Sequence, residues 1–125
     1  MIANPSIYRA YDIRGLYGQD FDDEFAFRLG RGIVQYFNSK RILIAKDIRA
    51  SSEVLKQQLI RGIVSAGAEA VDAGEISTPL FYWAANYLQA QGGVMVTASH
   101  LPEQYNGFKI INAIGANIGL ESGLK

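Results

Sequence analysis

Apolar and polar positions alternate along this chain with two different spacings. Short apolar or β-branched runs are separated by longer segments in which apolar residues recur every three to four positions. The short runs are typical of strands, and the longer segments are typical of amphipathic helices. Because the two patterns follow each other in regular order, we predict an α/β fold: a three-layer α/β/α sandwich around a mixed, mostly parallel sheet.

Five apolar runs are predicted to be strands. The second run, Arg41–Ala45, is continuously apolar after its first residue, as expected where helices cover both faces of a sheet. Residues Gly15–Gln19 contain two glycines and are predicted to turn the chain. The segment Ile114–Lys125 is rich in small residues and is predicted to be a weakly specified tail. The five strands are predicted at about Ile7–Ile13, Arg41–Ala45, Glu69–Ala73, Gly93–Thr97 and Gly107–Ile111.

Three helices are predicted between these strands from their start and stop signals. Asp22 is a suitable N-cap for the first helix, which Asn38-Ser39 ends. Ser51 or Ser52 begins the second helix and Gly67 closes it. Thr78 caps the third helix, with Pro79 at its first position, and Gln91-Gly92 ends it. The predicted apolar faces are Phe25, Leu29, Ile33 and Phe37, then Leu55, Leu59 and Ile63, then Leu80, Ala84 and Leu88, with Tyr82, Trp83 and Tyr87 interpreted as packing residues.

Composition limits the classes of function that this fold can serve. With 125 residues, 49% of them hydrophobic, the chain is predicted to form one domain, 1–125. Twelve basic and twelve acidic residues balance, which argues against nucleic acid or an anionic membrane as partner. The absence of cysteine excludes disulfides, thiolate metal sites and cysteine nucleophiles. Charged residues in Met1–Gly15, and the lack of a run of about 18 apolar residues, predict a soluble, cytoplasmic protein.

Three polar segments follow predicted strands. They are Tyr11–Gly15, Lys46–Ser52 and Thr97–Pro102. Ligands of open α/β sheets bind beyond the carboxyl ends of the strands. We therefore expect side chains of these segments to converge on one site.

Ser99 is the candidate nucleophile or phosphate carrier of that site. A serine hydroxyl needs a base, a metal or a good electrophile to react. His100, the only histidine, could support acid/base or orienting work. Adjacent residues of an extended chain point to opposite faces, so a hydrolase-type Ser-His dyad is disfavoured. The alternative is a plain polar loop before Pro102.

Lys109, Arg14 and Arg49 are the candidate cations. Lys109 could neutralise a phosphate or act as general base, or it could be a solvated lysine on an edge strand. Arg14 is suited to bidentate phosphate binding, with Asp12 orienting it, or it is a surface residue. Arg49 precedes a helix start that favours anions, and is a candidate phosphate-binding residue, or it is a charge beside a plain N-cap.

Together these segments resemble a known family in composition and order. The chain from about Ile7 to Ile111 looks like the first domain of the α-D-phosphohexomutases, the phosphomannomutase/phosphoglucomutase group. The serine loop together with Asn-Gly-Phe-Lys is the most specific part of the match. The segments that carry the resemblance are Tyr11–Gly15, Lys46–Ser52, Thr78-Pro79, Thr97–Pro102 and Tyr105–Lys109.

The resemblance implies roles for individual residues. Ser99 matches the serine that carries a phosphoryl group, exchanges it with a hexose monophosphate through a bisphosphate, and ligates Mg²⁺ through its phosphate. His100 and Lys109 match acid/base or charge-stabilising residues. Arg14 matches an arginine near the phosphoserine, and Tyr11 lies in the substrate-binding lining. Mg²⁺ and a hexose 1,6-bisphosphate activator are the implied cofactors of the complete enzyme.

The chain departs from the family pattern at two positions and in extent. Leu101 replaces the usual Asn after Ser-His, and Lys46 replaces an Arg. Domains II–IV, with their Asp-Gly-Asp metal loop, sugar-selecting loop and phosphate loop, have no counterpart in the 125 residues. The acidic group Asp20, Asp22 and Asp23 is interpreted as a helix start rather than a metal site.

The leading hypothesis is therefore a phosphoserine-bearing domain I of a hexose phosphate mutase. It is expected to be inactive without the missing domains, and to self-associate through the surface that they would cover. The alternative is a non-catalytic module that binds a phosphosugar or a partner chain. Glucose, mannose and glucosamine phosphates remain open as substrates.

Overall fold

A mixed five-stranded sheet forms the centre of the computed structural model, which describes residues 3–8 and 12–112. The strands are ordered β1-β5-β4-β2-β3. Strands β2, β3 and β4 are mutually parallel, and β5 is antiparallel to both β4 and β1, so β5 alone runs against the other four. The elements are a 3-10 turn Pro5–Ile7, β1 Ile13–Leu16, α1 Asp23–Phe37, β2 Arg41–Lys46, α2 Ala50–Ser65, β3 Glu69–Glu75, α3 Thr78–Tyr87, β4 Gly92–Val96 and β5 Tyr105–Asn112.

Helices cover both faces of this sheet. On one face, α1 and α2 pack through buried residues such as Ile33 and Leu59 against Val96 and Phe108. On the other face, α3 packs through Phe81 and Ala85 against a second cluster that contains Leu43, Met95 and Ile111. The predicted three-layer α/β/α fold with a mixed, mostly parallel sheet is confirmed.

Helix α1 begins and ends where its local signals predict. The Asp22 carboxylate accepts a hydrogen bond from Phe25 N at 3.1 Å, and Asn38 ends the helix in the left-handed region at φ 48°. Its contact with α2 depends on glycine, because a Cβ on Gly62 would lie 3.0 Å from the carbonyl carbon of Phe27 and 3.1 Å from Arg31 N. The two helices can therefore approach backbone to backbone.

The predicted starts of the first strand and of two helices are wrong. The first strand is Ile13–Leu16 rather than Ile7–Ile13, because Asn4 and Pro5 close a 3-10 turn and the strand instead pairs with β5. Helix α2 begins at Ala50 without a serine cap, since the Ser52 hydroxyl donates to Asp47.

Helix α3 is shifted relative to its prediction. Ser77, not Thr78, is the N-cap and accepts a hydrogen bond from Leu80 N at 3.3 Å. The fully buried positions of the helix are Phe81 and Ala85. Of the predicted face, Ala84 and Leu88 pack partly buried against the second cluster, whereas Leu80 is exposed. Trp83 and Tyr87, interpreted as packing residues, are exposed and stack on each other at 4.9 Å between ring centroids. The predicted tail Ile114–Lys125 lies outside the described residues.

Candidate functional site

The strand register brings the predicted polar segments to one edge of the sheet. Ile13 is paired with Phe108, and Phe108 with Val96, so β1 begins level with the carboxyl end of β4. Arg14 is opposite Gly107, whose carbonyl oxygen accepts a hydrogen bond from Thr97 N at 2.9 Å. Arg14 therefore lies in the row of the sheet from which the Ser99 loop begins. Tyr11 lies outside the described residues.

Asp47 joins the end of β2 to the start of α2. Its carboxylate accepts hydrogen bonds from Ser52 Oγ at 2.6 Å, from Arg49 N at 3.0 Å and from Arg49 Nε at 3.1 Å. Burial alone would raise the pKa of Asp47, but the hydrogen bonds from Ser52, Arg49 N and Thr97, together with the Arg49 charge, lower it below its ordinary value. Asp47 is thus kept in its ionised form, and it also contacts Thr97, the residue that follows β4 and precedes the Ser99 loop.

Arg49 is buried, with 8% of its surface exposed. Its guanidinium lies inside the loop that follows β4 and donates mainly to backbone carbonyl oxygens of that loop. Nη1 donates to Pro102 O at 2.7 Å and Tyr105 O at 3.1 Å, and Nη2 donates to Ser99 O at 2.9 Å and Leu101 O at 2.6 Å. The loop therefore wraps around one arginine.

Ser99 lies in this loop with an unusual backbone conformation. Its φ is 56°, in the left-handed region, where a non-glycine residue costs about 1–3 kcal/mol. Its N–H donates to Thr97 Oγ1 at 3.0 Å and its carbonyl oxygen accepts from Arg49. Within residues 3–8 and 12–112, no hydrogen bond engages the half-buried Ser99 hydroxyl. The backbone of Ser99 is thus fixed on both sides of the residue.

Asn106 supports the other end of the loop. It is fully buried; its side-chain nitrogen donates to Ser51 Oγ at 2.7 Å and Ser52 Oγ at 3.0 Å, and its oxygen accepts from Gly107 N at 2.8 Å. Sequence reasoning assigned no role to Asn106 or Asp47. Their positions in the sequence could have indicated a role, because Asp47 directly follows β2 and Asn106 lies at the start of β5, directly after the serine loop.

The remaining candidate residues lie around the same edge. Arg14 Nε donates to the buried Asp12 carboxylate at 2.6 Å, which is the orienting contact expected for this pair. Lys109 is half-buried on β5, an interior strand of the sheet, so the edge-strand alternative is excluded. Phe108 and Ile110, its neighbours, are buried on the α1/α2 face. His100 is exposed.

The described part of the chain contains no group of three His, Asp or Glu side chains that could hold a metal ion. The Asp20–Asp23 segment instead makes local contacts. Asp20 accepts from Leu16 N at 2.8 Å, and Asp23 accepts from the Tyr17 hydroxyl. In the described ranges, no helix has the length and hydropathy needed to cross a membrane.

Comparison with known proteins places this arrangement in a family. A family profile described as phosphoglucomutase/phosphomannomutase, alpha/beta/alpha domain I, matches residues 5–123. The phosphomannomutase of Vibrio cholerae is 40% identical over 94% of this chain and 27% of its own length. The phosphomannomutase/phosphoglucomutase of Pseudomonas putida is 44% identical over 86% of this chain and 24% of its own length.

Solved structures give the same result. The crystal structure of a phosphoglucomutase/phosphomannomutase family protein from Burkholderia thailandensis matches with a TM-score of 0.83 and 34% identity, over 90% of this chain and 27% of that one. A putative phosphomannomutase from Thermus thermophilus matches with the same TM-score and 28% identity, over 93% of this chain and 28% of that one. The chain thus spans about a quarter of the length of the relatives it matches. It belongs to the phosphoglucomutase/phosphomannomutase family and corresponds to that family's alpha/beta/alpha domain I.

Proposed function

We propose that Ser99 carries the phosphoryl group of a hexose phosphate mutase and that this domain supplies it to the reaction. The Ser99 loop is the observation that supports this role most directly. Both backbone groups of Ser99 are anchored, at Thr97 and Arg49, while no described residue engages the hydroxyl. A hydroxyl presented from a rigid backbone suits phosphoryl transfer, in which catalysis is mostly positioning and charge neutralisation.

The proposed reaction exchanges two phosphoryl groups. The bond between phosphorus and Ser99 Oγ breaks as a hydroxyl oxygen of the hexose monophosphate bonds to phosphorus. That hydroxyl gives its proton to a base, and the departing Ser99 Oγ takes up a proton. The resulting hexose bisphosphate reorients, and its other phosphoryl group returns to Ser99 Oγ, whose hydroxyl proton passes to a base. The hexose oxygen that loses this group takes up a proton, so the cycle is balanced.

Lys109, His100, Arg14 and Tyr11 are the residues proposed to assist this exchange. Lys109 and His100 would move protons or neutralise charge, and Arg14 would contact the phosphoserine region. A phosphoserine carries a charge of about −2 near neutral pH. Arg14 lies opposite Gly107 on β1, and Lys109 lies two residues beyond Gly107 on β5. These positions, close to the row of the sheet from which the Ser99 loop begins, support roles for both residues there. Tyr11 is proposed as a lining residue from its motif alone.

The domain is proposed to work as one part of a longer enzyme, since its relatives are about four times longer. The phosphate on Ser99 would provide a single ligand for Mg²⁺, and the described residues add no acidic cluster to complete that site. Domains II–IV, hexose phosphate substrates, a hexose 1,6-bisphosphate activator and a cytoplasmic location belong to the same proposal.

A domain exchange tests the function. The chain would replace the corresponding domain of the Vibrio cholerae phosphomannomutase, and turnover of mannose 1-phosphate would be measured with Mg²⁺ and glucose 1,6-bisphosphate. The chimera is expected to be active, Ser99→Ala to abolish turnover, and Ser6→Ala, a change at an exposed serine of the 3-10 turn, to preserve it. The isolated chain is expected to be inactive.

Two outcomes would contradict the proposal. If the Ser99→Ala chimera turned over as fast as the unchanged chimera, Ser99 would not be the phosphoryl carrier. A folded but inactive chimera, with an isolated domain that binds hexose phosphate equally well with and without the Ser99 hydroxyl, would favour the non-catalytic binding module.

A further inference from the structure

Arg49 has no free donor for a phosphate. A guanidinium carries five N–H groups. Four of them donate to the loop carbonyl oxygens of Ser99, Leu101, Pro102 and Tyr105, and the fifth donates to the Asp47 carboxylate. All five donors are therefore used by protein acceptors.

Because Arg49 is buried, replacing one of these protein acceptors by a phosphate oxygen would cost free energy. Arg49 is 8% exposed, so a phosphate oxygen could reach one of its donors only after displacing a loop carbonyl or Asp47. The displaced oxygen would then be left unpaired in a buried place, where its lost hydration is not replaced. The contacts of Arg49 consequently favour holding the loop over binding an anion.

The same contacts explain how Ser99 keeps a left-handed backbone. At φ 56° a serine is strained and persists only where surrounding structure fixes it. Thr97 Oγ1 holds the Ser99 N–H, and Arg49 Nη2 holds the Ser99 carbonyl oxygen. Both holding groups are in turn bound by the Asp47 carboxylate, so one acidic residue links the two anchors.

Leu101 fits this mechanism. Arg49 binds the carbonyl oxygen of Leu101 at 2.6 Å and makes no demand on the side chain. The loop conformation can thus be maintained with leucine at this position.

We infer that Arg49 is a positioning residue, which sets the backbone of the Ser99 loop through its four carbonyl contacts and does not bind phosphate. The catalytic part of this inference depends on the proposed function of Ser99. The structural part does not depend on it, because the loop conformation can be measured in the isolated chain.

NMR of the 125-residue chain tests the structural part. In Arg49→Lys, which keeps the charge but loses the fork of donors, Ser99 is expected to leave the left-handed region, as reported by its HN–Hα coupling and Cα shift. Amide exchange of Ser99 and Leu101 is expected to accelerate at least tenfold more than that of Val94 in the core. Gly62→Ala, which lowers stability at a distance from the loop, is expected to leave the Ser99 coupling unchanged.

Two further measurements separate positioning from phosphate binding. In Arg49→Ala, added guanidinium is expected to restore the Ser99 coupling and ammonium is not. During titration of the unchanged chain with inorganic phosphate, the Nε–H resonance of Arg49 is expected to stay in place. A phosphate-dependent shift of that resonance, or an Arg49→Lys chain with unaltered Ser99 coupling and exchange, would overturn the inference.

The chimera tests the catalytic part. Arg49→Lys is expected to lower kcat at least tenfold and to change KM for the hexose phosphate less than twofold, whereas Arg28→Lys, an exposed residue of α1, should change neither. A raised KM with unchanged kcat would show that Arg49 binds substrate phosphate. If Ser99→Ala proved active in the same chimera, the proposed function would fail while the NMR result on the loop would stand.

Discussion

Gly107 is the position where a single methyl group should disturb the site most directly. It lies on β5 opposite Arg14, and its carbonyl oxygen binds Thr97 N. A Cβ added there would meet the Ile13 carbonyl group of β1, lying 3.0 Å from its carbon and 3.1 Å from Arg14 Cα, with the carbonyl oxygen closer still. Non-bonded heavy atoms prefer separations of about 3.5–4.0 Å, so β1 would have to move by roughly 1 Å or more.

The expected effect of Gly107→Ala follows from that displacement. Overpacking against backbone typically costs about 1–3 kcal/mol. With a urea dependence of about 1–3 kcal/mol per molar, a loss of about 2 kcal/mol lowers the unfolding midpoint by about 1 M. Gly32→Ala provides the matched control, because a Cβ at this exposed position of α1 meets nothing within 4 Å. Since Ala is favoured over Gly inside a helix, that control should gain up to about 1 kcal/mol.

The assay is urea unfolding of the isolated chain followed by circular dichroism, together with amide exchange of β1. Exchange in β1 should accelerate in Gly107→Ala and should not accelerate in Gly32→Ala. In the domain-exchange chimera, a misplacement of about 1 Å can lower turnover by about 100-fold, which is expected for Gly107→Ala. A Gly107→Ala midpoint equal to that of the unchanged chain, with β1 exchange preserved, would refute the close approach of β1 and β5.

Three further predictions concern helix packing and titration. Gly62→Ala should destabilise the chain by about 1–3 kcal/mol in the same urea assay, because its Cβ would lie 3.0 Å from the Phe27 carbonyl carbon of α1; stability equal to the unchanged chain would contradict that contact. Burial, followed by the hydrogen bond to Asp23, raises the pKa of Tyr17 to about 12. An absorbance titration should therefore show a late tyrosinate step that Tyr17→Phe removes. The free energy of unfolding should fall as the pH rises from 10 towards 12, because the unfolded chain loses this proton first. The pKa of Asp47 is lowered from 3.8, so the contribution of this carboxylate to the free energy of unfolding should be complete above pH 3.8 and lost as the pH falls further. The stability difference between the unchanged chain and Asp47→Asn should therefore shrink on acidification, and a constant difference would exclude this linkage.

The features that the sequence predicts well are those set by neighbouring residues. The start and end of α1 depend on Asp22 and Asn38, whose effects are local, and both predictions are confirmed. The first strand was misplaced because its position depends on pairing with β5, almost a hundred residues further along the chain. The start of α3 is shifted by one residue, since Ser77 and Thr78 can both cap a helix, and in the structure Ser77 accepts the cap hydrogen bond while the Thr78 hydroxyl donates to Met95 Sδ.

The candidate site shows the same division. The serine loop and the basic residues around it are visible as motifs, because their side chains are chemically distinctive. The partners of Arg49 are not visible, since four of its five acceptors are backbone carbonyls, which every residue has. A sequence can show that an arginine lies near a loop, but it does not show whether the guanidinium faces a ligand or the main chain.

The distribution of charge at the site edge follows from these contacts. Arg49 is neutralised by Asp47, and Arg14 is paired with Asp12, so each arginine adds little net positive charge. Within the described ranges, no carboxylate pairs with Lys109. A phosphoryl group on Ser99 would add a charge of about −2 beside this edge. On the proposed function, Lys109 is therefore a cation at this edge, among the described residues, with charge to spare for the phosphate. We expect the rest of the positive charge to come from groups outside the described residues, including those that the rest of a longer enzyme would supply.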